Sequence, residues 1–115
     1  MQQRKAFFLW NVCWLFLALS LATTLQAQNA GANLFNGKCA HCHGVDGLAN
    51  TAAGKAQHVP PLTAPDVLKM TDADLTSIIT NGKDKMPSFG NRLTDAQIQE
   101  AVGYIRTLQK QTKQD

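Results

Sequence analysis

The sequence predicts an all-α fold of three to four short helices, and three observations carry that expectation. Two capping patterns, Thr71-Asp72-Ala73-Asp74 and Thr94-Asp95-Ala96-Gln97, each open a segment whose apolar residues return every three or four positions. No stretch shows a convincing two-residue alternation of the kind a half-buried strand displays. The chain left after an apolar N-terminal segment is 88 residues long, enough for one small domain.

The elements follow in order. A first helix is expected from about Asn29 to Cys42, with Leu34, Phe35 and two cysteines at helical spacings, and Gly44 placed to end it. Gly44 to Ala64 reads as loop. Pro65 at a first helical position allows a short helix to about Met70. Thr71 then caps a helix whose apolar face is Leu75, Ile78 and Ile79, with Asp74 reaching back and Gly82 at its end. Lys83 to Leu93 is a second loop. The last helix starts at Thr94, with Ile98, Ala101, Val102, Ile105 and Leu108 on one face and Lys110 and Lys113 near the end, where the helix dipole favours them. There are no internal repeats and no low-complexity tract beyond a polar C-terminus.

Arg4 and Lys5 precede a run from Ala6 to Ala22 that is apolar except for Asn11, Ser20 and the sulfur of Cys13. Small and polar residues follow as far as Ala27, so residues 1–27 have the layout of a secretory signal peptide. As a helix, the 17-residue run reaches only about 25 Å, against a hydrocarbon core roughly 30 Å thick. Cleavage near Ala27 is therefore favoured over retention as an N-terminal anchor. Cys13 follows Asn11-Val12 rather than a small-residue lipobox, which argues against a lipoprotein. In either case the domain of residues 28–115 is expected outside the cytoplasm, in the periplasm or its equivalent. Without the first 27 residues, nine basic side chains face eight acidic ones, and the net charge falls from +3 to +1. Charge balance thus gives no support to a nucleic-acid partner.

Residues 39–43 read Cys39-Ala40-His41-Cys42-His43, the C-x-x-C-H pattern of covalent c-type haem attachment. Two cysteines one helical turn apart present two thiols to the two vinyl groups of one haem. The adjoining His43 can offer a ring nitrogen to the iron as proximal ligand. The chain has three cysteines, and Cys13 lies in the removable segment, so no third thiol is left for a structural bridge. A thioredoxin-like redox pair would sit in a βαβ pattern, which is absent here. A zinc site would need a second half-site, and only His41 and His58 are on hand to supply it. Haem is the favoured reading. A domain this small rarely supplies more than about 3–5 kcal/mol from its own core, and a covalent, mostly apolar macrocycle suits the role of staple.

A sixth iron ligand is sought next. Met86 lies in the polar loop Lys83-Asp84-Lys85-Met86-Pro87-Ser88-Phe89-Gly90, an odd place for a core residue. Pro87 stiffens the chain beside it. A thioether is a soft ligand, and His/Met ligation raises the potential of a haem. Met70, near the join of two helices, reads as core. His58 lies in a Gly/Ala/Gln stretch and reads as exposed, as does His41.

With Leu34-Phe35, Cys39-Ala40-His41-Cys42-His43-Gly44, Pro60-Pro61-Leu62, Gly82-Lys83-Asp84-Lys85-Met86-Pro87-Ser88-Phe89 and Tyr104-Ile105, the chain resembles the small class I c-type cytochromes over essentially all of residues 28–115. The resemblance implies that fold, with its helices wrapped round one covalent haem c. It implies thioethers at Cys39 and Cys42 and axial ligands at His43 and Met86. It further implies a carbonyl of Pro60 or Pro61 as hydrogen-bond acceptor for the proximal imidazole, and a crossing of the terminal helices at Gly31, Phe35 and Tyr104.

The sequence shows no Ser/His/Asp set and no paired carboxylates, and Asp72 and Asp74 are accounted for by a helix start. The expected function is one-electron transfer between redox protein partners by a monomer that is not an enzyme. Lys83 and Lys85 flank Met86 and are candidates for steering an acidic partner, or else an ordinary solvated loop. The alternatives are a haem-bearing relay subunit of a larger dehydrogenase or oxidase, or a gas-sensing or peroxidase-like protein whose sixth ligand leaves.

Overall fold

Apolar spacing and caps decide where the helices stand in the computed structural model, which describes Gln26 and residues 28–113. Apart from Gln26, the expected export segment lies outside the described residues. Helix α1 spans residues 28–38 and buries Gly31 and Phe35. Cys39 forms a turn, and α2 continues over Ala40–His43. The two are joined by backbone bonds, Cys39 N–H donating to the Phe35 carbonyl (2.8 Å) and His43 N–H to that of Cys39 (3.0 Å). Gly44 closes α2 with φ 77°.

The expected loop between Gly44 and Ala64 contains a helix the sequence does not announce, α3 over Ala52–Gln57. Its Ala-Ala-Gly-Lys-Ala-Gln has no apolar stripe, but Thr51 caps it, accepting from the Gly54 N–H. Helix α4 covers Pro65–Leu68, shorter than expected by two residues. Helix α5 covers Asp72–Asn81 and α6 covers Asp95–Gln111. Both open on complete capping boxes, Thr71 with Asp74 and Thr94 with Gln97. The bonds from Thr71 hold the Asp74 carboxyl below its ordinary value. The sheet-like pairing described is a single isolated bridge between Lys83 and Met86.

The core forms where α1, α5 and α6 meet. Phe35 and Ile98 are fully buried, joined by Leu62, Val67, Leu75, Ile79, Phe89, Val102, Ile105 and Leu108. Helix α1 crosses α6 at Gly31, where a side chain would run into the Glu100 carbonyl. Phe35 packs there against Tyr104 with ring centroids 5.4 Å apart. The implied crossing residues are therefore together.

Polar groups also join α6 to the 62–72 segment. Gln109 is only 4% exposed, although it sits beside Leu108 in the helix. Its Nε2 donates to the Leu62 carbonyl (2.8 Å), and its Oε1 accepts from Arg106 Nη1 (2.8 Å). Arg106 also donates to Asp72 Oδ1 (2.8 Å) and to the Met70 carbonyl (2.6 Å). Gln109→Ala leaves the buried Leu62 carbonyl unsatisfied and is expected to cost about 1–3 kcal/mol. In a domain of this size, thermal melting of the holoprotein should fall by about 4–8 °C per kcal/mol. An unchanged melting temperature would show that water replaces the amide without loss.

Candidate haem centre

The motif residues occupy the turn that follows α1 and all of α2. Cys39 is half-buried against the core, and burial pushes its thiol up to about 11. Cys42 is half-buried one turn on, and both thiols are free. Burial lowers the His43 imidazole below its ordinary value, favouring the neutral form that ligates metals. Its ring centroid lies 6.4 Å from that of Phe35, and its Nδ1 is buried without a hydrogen-bond partner.

The resemblance implied a bond from that nitrogen to a carbonyl of Pro60 or Pro61. The structure forms neither. The Pro61 carbonyl accepts the Ala64 N–H instead (2.9 Å), closing the turn that leads into α4.

Segment 49–54 lies against the end of α2. The Thr51 hydroxyl lies 2.9 Å from the His41 carbonyl oxygen and 3.1 Å from that of Cys42. Ala49 N–H donates to the His43 carbonyl at 2.7 Å. Thr51 is not singled out by the sequence, because it lies in a stretch expected to be loop.

Met86 is half-buried and packs against the same core cluster as Cys39. Its loop is tightly held. Lys83 and Met86 exchange two backbone bonds, Lys83 N–H to the Met86 carbonyl (3.1 Å) and Met86 N–H to that of Lys83 (2.8 Å). Asp84 takes φ 52° inside that turn. Beyond Pro87 the chain is tied back to α5. Phe89 N–H donates to the Ile79 carbonyl (3.0 Å), while Gly90 N–H (3.0 Å) and the Ser88 hydroxyl (2.6 Å) donate to that of Thr80. Met70 is also half-buried against the core, whereas His41 and His58 are exposed, His58 ending α3 with φ 55°.

These residues fit a covalent haem. A neutral imidazole with a buried, unpartnered nitrogen stands beside two free thiols, and a soft sulfur borders the same apolar cluster. Among the described residues no three His, Cys, Asp or Glu side chains converge on a metal position. The family described as cytochrome c oxidase, cbb3-type, subunit III matches residues 26–105. A cytochrome c6 of Bryopsis maxima is 39% identical over 83 residues, covering 65% of this chain and 84% of that protein. The chain belongs to the class I c-type cytochromes. A second cytochrome c6, from Thermosynechococcus vestitus, is 34% identical over 103 residues, covering 83% of this cytochrome and 86% of that one. The CcoP subunit of a cbb3-type oxidase from Azospirillum brasilense is 34% identical over 89 residues, covering 76% of this cytochrome but only 30% of the subunit. Like its family, the cytochrome carries one covalent haem c and serves electron transfer.

Proposed function

We propose that Cys39 and Cys42 hold the haem through thioethers, that His43 and Met86 take its two axial positions, and that the domain is a diffusible one-electron carrier. The observation that supports this best is the Met86 turn. A methionine half-buried against the core that Cys39 borders is fixed by paired backbone bonds, in a loop tied to α5 by three more. The haem supplies reversible one-electron chemistry at its iron. The chain supplies two ligands, an apolar surround and a rigid frame. His43 and Met86 together leave no coordination position for oxygen, peroxide or a substrate, so the domain is not an enzyme. Residues 1–27 export it, and it works in the periplasm or at the outer face of a membrane, as a monomer. The reduced protein should bind carbon monoxide slowly or not at all at neutral pH. Rapid binding would favour a sensor or peroxidase-like role.

The likeness to an oxidase subunit supports a second reading, a relay domain within a larger complex. Lys83 and Lys85 separate the two. Both are exposed beside Met86 and form no ion pair among the described residues. For a diffusible carrier meeting an acidic partner, the second-order rate should fall severalfold as ionic strength rises from about 0.01 to 0.15 M, over which the Debye length shrinks from about 30 to 8 Å. Lys83→Gln/Lys85→Gln should flatten that dependence. A rate that is independent of salt and protein concentration favours the relay.

A further inference from the structure

Helix α2 is a single turn of four residues, too short to hold itself. It carries Cys42 and His43, and its carbonyl end is held from outside the helix. Segment 49–54 holds it at three successive residues. Ala49 N–H engages the His43 carbonyl, and the Thr51 hydroxyl is shared between the carbonyls of His41 and Cys42. A hydroxyl has one proton but two lone pairs. The same oxygen therefore also accepts the Gly54 N–H at 2.8 Å, so that one side chain closes α2 and opens α3.

Two further features press the segments together. A side chain at Gly54 would run into the Cys42 carbonyl oxygen, so only glycine lets α3 approach this closely. Ala49 is held at φ 56°, a left-handed conformation unfavourable to a non-glycine residue, while its N–H reaches the His43 carbonyl. The His43 ring itself has no hydrogen bond at Nδ1. The ring hangs from the backbone that Ala49 and Thr51 engage and lies alongside Phe35.

We infer that Thr51 is a positioning residue for His43: its hydroxyl, bonded to the carbonyls of His41 and Cys42, locks the turn that aims the imidazole. This role rests on the reading of His43 as proximal ligand. It gives a side chain outside the haem motif a part in orienting a ligand and tuning its iron, acting through the backbone.

The test uses holoprotein variants Thr51→Val, Thr51→Ser and Thr94→Val. The last removes the same kind of cap from α6, away from the motif. The readouts are the iron-shifted ring resonances of isotope-labelled histidine in the oxidised protein, and the reduction potential. Thr51→Val should displace both from their wild-type values, and Thr51→Ser should restore both. Thr94→Val should lower the melting temperature and leave both in place. The role is overturned if Thr51→Val leaves both signals unchanged, or if Thr94→Val moves them as far. If Thr51→Val does not accumulate as holoprotein, Gly54→Ala is read in the same way, and unchanged signals there overturn the role. A wild-type spectrum without an iron-shifted His43 ring removes the ligand assignment itself, and the role with it.

Discussion

Apoprotein made by replacing Cys39 and Cys42 with alanine is expected to lose most of its helical circular dichroism and to melt without a cooperative transition. Among the described residues, Phe35 and Ile98 are the large side chains that are fully buried. Around them Leu34, Cys39, Ala64, Met70, Met86, Leu93 and Tyr104 pack against the core while remaining partly exposed. A domain of this size rarely draws more than about 3–5 kcal/mol from its own core, so losing the cover over that rim consumes most of the margin. The short helices offer no reserve. Helices α2 and α4 have four residues each and α3 has six. Isolated helices need about 12–15 residues to be even marginal in water. A native-like, cooperative melt of the double-alanine protein would refute the expectation and make the haem a passenger on a self-sufficient fold.

The second large effect is expected at Met86. Met86→Ala should abolish the weak near-infrared sulfur-to-iron charge-transfer band of the oxidised protein. It should also lower the reduction potential, by a sizeable part of the span of about 0.8 V over which axial ligands set haem potentials, and open the reduced iron to carbon monoxide. Met70→Ala serves as control. Its backbone carbonyl is held by Arg106 and its side chain packs on the core, so the band should survive that change. A band that survives Met86→Ala and disappears with Met70→Ala would transfer the ligand role to Met70.

How much of this was legible beforehand depended on whether the information was local. The starts of α5 and α6 were legible, because a capping box is written within four residues, and Thr71/Asp74 and Thr94/Gln97 form as expected. So was the crossing of Gly31, Phe35 and Tyr104, through its likeness to a family. Helix α3 was not, because Ala52–Gln57 offers no apolar period. Its stability comes from Thr51 and Gly54 meeting the end of α2, a contact made in three dimensions. Gln109 was equally opaque, since a glutamine near a helix end reads as solvated until Leu62 and Arg106 are seen around it. At the haem centre the motif was plain, and the Met86 loop stood out by its proline and its polar setting. The acceptor for His43 Nδ1, expected at Pro60 or Pro61, depended on the path of a loop that closes on Ala64 instead.

Helix α6 has a consequence for the order in which the domain is made. It meets α1 at Gly31, reaches back 47 residues from Gln109 to Leu62, and 36 from Arg106 to Met70. A chain emerging from its N-terminal end presents Cys39 and Cys42 long before these partners exist. The thiols therefore pass through an open period in which their surroundings are solvent rather than core, and covalent attachment has free access to them. Because the chain without haem is expected not to hold its helices together, that access lasts until the macrocycle is attached, and residues 100–109 close over it only afterwards.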